Sequence, residues 1–313
     1  MTLESSTRRP TIRDVADLAG VSTATVSYVL NGTAGQTITP STRERVRRAA
    51  DSVGYVPHRI ARALREGRSP VVLLNVGAMI GGSTVATLVE GMSAELRRHG
   101  HSLLVTAEPG GIIADVIDAV APRATLDLTV VTTGGEEDDV VSGVAAGDHA
   151  GFAFHTLAQL RHLVERGHRR IAFVGPAEDV PFARTRRAHA RSAARQLSLP
   201  PLVETVIGGD EARRAETVER LVREQGVSAV AAHSDDVALA VLAGMATLGL
   251  RAPQDLAVIG FDEDAAARLW RPSLTTVRID GAAYGRRAAR VVLGLPVPEW
   301  DSAPSQVVLG EST

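Results

Sequence analysis

The stretch Thr11-Ile12-Arg13-Asp14-Val15-Ala16-Asp17-Leu18-Ala19-Gly20-Val21-Ser22-Thr23-Ala24-Thr25-Val26-Ser27-Tyr28-Val29-Leu30-Asn31-Gly32 decides the fold of the N-terminal region. Thr11 is a helix-capping residue type, and Asp14 stands three residues on, where a carboxylate can return a hydrogen bond to the cap. Val15, Ala16, Leu18 and Ala19 then recur at helical spacing. Gly20 ends this helix, because a left-handed C-terminal cap costs glycine little. Val21 plugs the turn, and Ser22 caps a second helix running from Thr23 to about Leu30. Val26, Val29 and Leu30 face inward there, while Thr23, Ala24, Ser27 and Tyr28 stay on or near the outer face. Asn31-Gly32 stops it. Farther on, Thr39-Pro40 places a cap before a proline at the first helical position. The third helix, about Ser41 to Val53, buries Val46, Ala49, Ala50 and Val53 and carries Arg43, Arg45, Arg47 and Arg48 outward.

Two short helices joined by a glycine turn and braced by a third form a helix-turn-helix. An ordinary three-helix bundle fits the same pattern. Charge favours the nucleic-acid reading: residues 1–69 hold eleven Arg against six Asp and Glu, residues 70–313 hold 23 against 30, and the whole chain nets −2. A basic head on an acidic body suits a polyanionic partner for the head.

Composition bounds the rest. At 313 residues and 44 % apolar, the chain can bury a headpiece core and a large α/β body. The absence of cysteine excludes disulfides, thiol nucleophiles and thiolate-bound zinc. No segment reads as a secretory leader or approaches the roughly 18 apolar residues of a membrane span, so a cytoplasmic protein without a membrane partner is expected. His155, His162 and His168 fall in no metal-binding motif, and Gly134-Gly135 and Gly208-Gly209 make no phosphate loop. Neither an enzyme nor a cofactor is expected.

The 11–32 stretch resembles the N-terminal signature of the lactose-repressor/galactose-repressor family. Thr39-Pro40-Ser41-Thr42-Arg43-Glu44-Arg45-Val46 and Gly54-Tyr55-Val56-Pro57 continue the likeness. The resemblance implies a DNA-binding regulator, with Thr11, Ser22, Thr23, Ala24, Thr25, Ser27, Tyr28 and Asn31 at the DNA. Thr23, Ala24 and Tyr28 would read bases, while Thr25 and Ser27 would mostly touch phosphates, which position rather than specify. Thr23 and Ala24 can meet a thymine methyl but cannot grip guanine with two bonds. Tyr28 and DNA shape are therefore expected to carry much of the specificity.

Residues 57–69 resemble the family's hinge helix. About eight residues cannot hold a helix alone in water, but two such helices packed together on DNA can. The resemblance implies that Ala61 and Leu64 lie at that contact, that Leu64 wedges into the minor groove, and that Arg59 contacts phosphate along with Arg62, Arg65 and Arg68. A plain solvated linker is the competing reading. The expected divisions are a headpiece over 1–57, a hinge over 58–69 and a dimerising, effector-binding body over 70–313.

In the body, apolar β-rich runs alternate with helical stretches. Strands are expected at Val71 to Leu74, His101 to Ala107, Asp127 to Thr132, Arg170 to Val174, Val203 to Ile207, Ala229 to Ala232 and Leu256 to Gly260. Helices are expected at Thr84 to His99, Leu157 to Arg166, Arg184 to Leu197, Glu211 to Gln225 and Val237 to Leu248. This order implies two lobes with doubly wound parallel sheets.

Gly167-His168-Arg169-Arg170-Ile171-Ala172-Phe173-Val174-Gly175-Pro176, Ser234-Asp235-Asp236-Val237-Ala238-Leu239, Val258-Ile259-Gly260-Phe261-Asp262 and Pro272-Ser273-Leu274-Thr275-Thr276-Val277 resemble the same family's body, itself similar to periplasmic sugar-binding proteins. The likeness implies a small polar effector, such as a sugar or sugar derivative, held in the cleft by Arg186, Ser234, Asp235, Asp262 and Trp270. Competing readings are a solvated face for Arg186, a helix cap for Asp262 and a lobe-interface filler for Trp270. The family pattern implies a homodimer on a palindromic double-stranded operator.

The chain also departs from the family. Gly77-Ala78-Met79-Ile80-Gly81-Gly82 lacks the usual aromatic residue, and Asp127 to Gly151 looks short for a further strand. Gly310 stands where relatives often have Arg. An effector-independent regulator with a vestigial cleft is the alternative these departures suggest.

Overall fold

A computed structural model describes residues 10–31, 38–55, 69–77, 82–131, 152–178, 181–300 and 305–313. The chain packs as two compact units, Met1–Arg68 and Ser69–Thr313.

The first unit contains α1 (Ile12–Ala19), α2 (Thr23–Asn31) and α3 (Pro40–Val53). The first helix opens on the reciprocal box: Asp14 N donates to Thr11 Oγ1 at 3.3 Å and Thr11 N donates to Asp14 Oδ2 at 2.6 Å. It closes on Gly20 at φ +63°. Ser22 Oγ accepts from Thr25 N at 3.1 Å, and Thr39 Oγ1 accepts from Thr42 N at 3.3 Å ahead of Pro40. Val15, Ala16, Ala19, Val26, Val29, Val46, Ala49 and Ala50 form the core, with Leu30 and Val53 only partly buried against it. Leu18, expected inward, is 57 % exposed. Val15, Ala16 and Ala19 define a narrow stripe, and Leu18 lies about 110° from its centre on a helix turning about 100° per residue.

The second unit begins with β1 (Val71–Asn75), α4 (Ser83–Arg98), β2 (Ser102–Thr106), α5 (Ala114–Val120), β3 (Ala124–Asp127) and α6 (Leu128–Val131). Its first sheet is parallel in the order β2-β1-β3. The strand expected from Asp127 to Thr132 is corrected here: the strand ends at Asp127 and a helical turn follows. Asp127 Oδ1 accepts from Thr129 N at 2.9 Å and Thr129 Oγ1 at 2.6 Å, which bends the chain out of the sheet.

The second lobe contains α7 (Phe152–Glu165), β4 (Ile171–Pro176), α8 (Pro181–Gln196), β5 (Val203–Ile207), α9 (Glu211–Glu219), β6 (Ala229–Ala232), α10 (Asp235–Thr247), β7 (Ala257–Ile259) and α11 (Ala265–Leu269). The helix expected to run to Gln225 continues past Glu219 as a π turn, Arg220–Glu224. The second sheet is parallel in the order β5-β4-β6-β7. Alternate strand residues fill opposite faces: Ile171, Phe173, Ala229, Ala231, Ala257 and Ile259 on one, Ala172, Val174, Val230, Ala232 and Val258 on the other. Both faces are buried, as a parallel sheet requires.

Three further elements follow that the sequence reading did not separate: β8 (Thr276–Ile279), α12 (Gly281–Leu293) and β9 (Ser305–Val308). β8 and β9 pair antiparallel, adding a ribbon to otherwise parallel sheets. Helix α12 returns to the first lobe and packs on α4 through glycines. A Cβ on Gly285 would lie 2.0 Å from Leu88 O, and one on Gly91 would lie 2.2 Å from Ala282 O. Buried Glu95 pairs with Arg290 across this seam at 2.7 Å. Gly310 also has a packing reason, since a Cβ there would sit 2.4 Å from Ser273 O.

Candidate nucleic-acid interface and ligand cleft

On α2, Thr23, Ala24, Ser27, Tyr28 and Asn31 fall within an arc of about 140° opposite the buried Val26 and Val29. Ser22, Thr23 and Ala24 are exposed at the helix start, and Tyr28 is 37 % exposed. Ser22 Oγ and Thr25 Oγ1 lie 3.0 Å apart. One of these hydroxyls donates to the other, which leaves the second hydroxyl proton available to a phosphate oxygen. Thr11 spends its side chain on Asp14, donating at 2.8 Å. Arg45 is drawn inward from the basic face: its Nε donates to Ala19 O at 2.9 Å and ties α3 to the end of α1. Arg59, Ala61 and Leu64, expected in the hinge, lie outside the described residues.

In the body, strand order turns in opposite directions about β4 and β6. The switch point at their carboxyl ends is where open parallel sheets bind ligands. Arg186 lies there, on α8, with 0 % exposure. Its guanidinium stacks 3.2 Å from the Phe261 ring centroid, and Nη2 donates to Gln159 Oε1 at 3.2 Å. Gln159 is pinned in turn, its Nε2 donating to Ala232 O at 2.8 Å and Gly260 O at 2.9 Å. Arg186 Nε and Nη1 find no acceptor among the described residues. Burial pushes its pKa down to about 9, against the opposing pull of nearby Asp262. A buried cation with two unmet donors is costly. The solvated-face reading of Arg186 therefore fails.

Asp262 follows Phe261 at φ +103°, and Glu263 follows at φ +56°. Asp262 Oδ1 accepts from Thr84 Oγ1 at 2.9 Å. Burial raises the Asp262 pKa to about 6, opposed by Arg186 and by the Thr84 bond. No ion pair joins Asp262 to Arg186, so a cation with spare donors faces a carboxyl with a spare oxygen. His233 stands beside them, edge-on to Phe182 at 5.4 Å, with Nε2 unpartnered among the described residues. Burial and the Arg186 charge push His233 down to about 3.

The other expected ligand residues have local duties. Ser234 caps α10, accepting from Val237 N at 3.4 Å. Asp235 is fully buried and accepts from Phe261 N at 2.7 Å, Thr276 Oγ1 at 2.5 Å and Asp264 N at 2.7 Å. Burial still lifts its pKa to about 7. Trp270 ends α11 at 37 % exposure. Asp264, and not Asp262, occupies the cap position of α11.

Sequence reasoning missed Gln159, His233 and Phe261. A signal existed for the first: His155, Gln159 and His162 recur at i, i+4 and i+7, the spacing of a buried stripe, and all three are buried. Among the described residues no cluster of His, Asp or Glu could hold a metal, and no helix is long and apolar enough to cross a membrane.

Residues 11–58 match the family described as bacterial regulatory proteins, lacI family, and residues 160–313 match the periplasmic binding protein-like domain. The transcriptional regulator CelR of Thermobifida fusca is 29 % identical, over 91 % of this chain and 92 % of its own. The transcriptional repressor PurR of Haemophilus influenzae (strain PittEE) is 27 % identical, over 90 % of each. Among solved structures, the Lac repressor dimer bound to operator and the anti-inducer ONPF has a TM-score of 0.74 at 22 % identity, covering 97 % of this chain and 99 % of that one. A CelR–cellobiose complex has a TM-score of 0.55 at 24 % identity, covering 97 % and 100 %. Likeness at such identity establishes the two-lobed α/β fold with its helix-turn-helix head.

Proposed function

From the premise that this chain belongs to the lacI family of bacterial regulatory proteins and is a DNA-binding transcriptional repressor, we propose that it governs a metabolic operon, carbohydrate-related in character, through a small polar effector bound between its lobes. Residues 1–57 serve as the DNA reader, 58–69 as the hinge and 70–313 as the effector-binding and dimerising body. Two copies present α2 to the halves of a palindromic operator, with Thr23, Ala24 and Tyr28 at the base edges and the Ser22–Thr25 pair at phosphate. Half-site spacing follows from the two-fold symmetry of such a dimer.

The observation that carries the effector reading is Arg186. A fully buried guanidinium with two unmet donors, stacked on Phe261 and facing Asp262, offers the donors and acceptor that adjacent hydroxyls of a carbohydrate-like ligand satisfy. The relative in the cellobiose complex lends support to that chemistry. A gel-shift titration of the protein with its own upstream DNA, run against a panel of sugars and sugar derivatives, tests the reading. At least one compound is expected to change operator affinity, and Arg186→Met is expected to abolish the response while leaving DNA binding intact. If no compound shifts affinity, the effector reading falls and an effector-independent repressor remains.

A further inference from the structure

The first turn of α4 is held by the other lobe. Gly82 sits at its N-cap and supplies no side chain, so the free amides of that turn need acceptors from elsewhere. The loop after β7 provides them. Ser83 N donates to Asp264 Oδ1 at 3.0 Å, Ser83 Oγ donates to Asp262 O at 2.5 Å, and Thr84 Oγ1 donates to Asp262 Oδ1 at 2.9 Å. This loop is preset. Asp262 and Glu263 both hold left-handed backbone, and Asp235 clamps the amides on either side through Phe261 N and Asp264 N. Asp262 N donates to Val277 O at 2.9 Å, fixing the loop to β8. A rigid second-lobe loop thus grips a first-lobe helix beside the fully buried Arg186.

We propose that the Ser83–Thr84 turn and the Asp262–Asp264 loop form an interlobe latch that gates access to Arg186. The latch rests on contacts alone and stands whether or not an effector exists. Its bearing on regulation rests on the effector reading above. Oδ1 of Asp262 holds Thr84 while its second oxygen accepts no bond among the described residues, so a ligand taken by that second oxygen pulls on the same carboxyl that closes the latch. Loss of the Thr84 hydroxyl removes a bond to a carboxylate and shifts the lobes toward the open arrangement.

The test uses the full chain and no ligand. Phenylglyoxal modifies arginines that solvent can reach, and each modified arginine resists trypsin, so mass spectrometry gives a rate for each site. Arg186 is expected to be protected in the wild-type protein. Thr84→Val, which keeps the side-chain volume, is expected to raise its modification rate at least about tenfold, and Thr84→Ser to restore protection. Arg287 is buried against Trp300 and is not part of the latch, and its rate is expected to stay unchanged. The latch is overturned if Arg186 stays protected in Thr84→Val. It is also overturned if Arg186 and Arg287 accelerate equally both there and in the milder Ser83→Ala.

Discussion

Replacing Arg186 by Met is expected to make the protein more stable while removing its effector response. The drop of the buried guanidinium from its ordinary 12.5 to about 9 corresponds to about 5 kcal/mol of unfavourable burial, at about 1.4 kcal/mol per pH unit. Methionine relieves that term and keeps much of the volume. Against it stand the lost stacking on Phe261, worth about 1–2 kcal/mol and partly replaced by a sulfur–aromatic contact, and the orphaned Gln159 Oε1, which costs about 1–3 kcal/mol. The net expectation is a gain of about 1–3 kcal/mol. Urea unfolding with a slope of about 3 kcal/mol per M would then show a midpoint raised by roughly 0.3–1 M. Gel shifts with and without effector on the same preparation complete the assay. A midpoint lowered by Arg186→Met would refute the reasoning, because the arginine would then be a structural asset and not a group whose cost is retained for binding.

Three further outcomes follow from the same contacts. Gly285→Ala gains about 1 kcal/mol of helix propensity but drives a Cβ into Leu88 O, so the α4–α12 seam must open; a net loss of about 2–4 kcal/mol and a melting temperature lower by roughly 5–15 °C are expected, whereas Gly110→Ala, in open space, should melt unchanged. Thr11→Ala removes the side-chain arm of its capping box, leaving the backbone bond from residue 11 to Asp14, and should lower headpiece stability by about 1 kcal/mol, read by thermal melting of α1 helicity. Raised Asp235 and Asp262 contribute stability that is complete below about 3.8 and lost as pH climbs through about 7 and 6, while His155 and His233, lowered to about 3, contribute stability present above about 6.5 and lost as pH falls. The two pairs oppose each other between about pH 4 and 6, while His162 and His168, also lowered by burial, add a further loss towards acid, so a shallow fall of the urea midpoint there and a steeper one below it are expected; a fall as steep between about pH 6 and 4 as below it would show the carboxylates are not raised.

The headpiece was legible because its signals are local. Thr11, Asp14, Gly20, Ser22 and Pro40 each act on backbone within four residues, so sequence spacing and structure coincide. Leu18 misled because helical spacing gives a face but not its width. In the body, the buried strands were legible as apolar runs, but β3 ends where Asp127 bends the chain, and that depends on a side-chain bond that periodicity does not register. Helix α12 was overlooked because its contact surface is built of Gly281 and Gly285, which look like loop residues until α4 is set against them. The cleft was half visible. Arg186 and Asp262 came from a family resemblance, whereas Gln159 and His233 acquire meaning only when β4, β6 and α7 converge, and the duties of Ser234 and Asp235 show only in their hydrogen bonds.

The two lobes solve the same topological problem differently, and that bears on how a signal could be sensed. Each sheet has a switch point, between β1 and β3 in the first lobe and between β4 and β6 in the second. In the first, Asn75 fills the place: its Nδ2 donates to Glu108 O at 2.9 Å and Asp127 Oδ1 at 3.1 Å, and its Oδ1 accepts from Glu108 N at 2.9 Å and Thr106 Oγ1 at 3.2 Å. The Asn75 amide is thus answered on both its nitrogen and its oxygen by described residues. In the second, Arg186 leaves two donors unanswered. Under the effector reading proposed above, the unmet donors among the described residues place recognition on the second lobe. A ligand held mainly by one lobe can move the other only if their contact changes when it binds. The bonds from Ser83 and Thr84 to Asp262 and Asp264 are such a contact, and they involve the very carboxyl that faces Arg186.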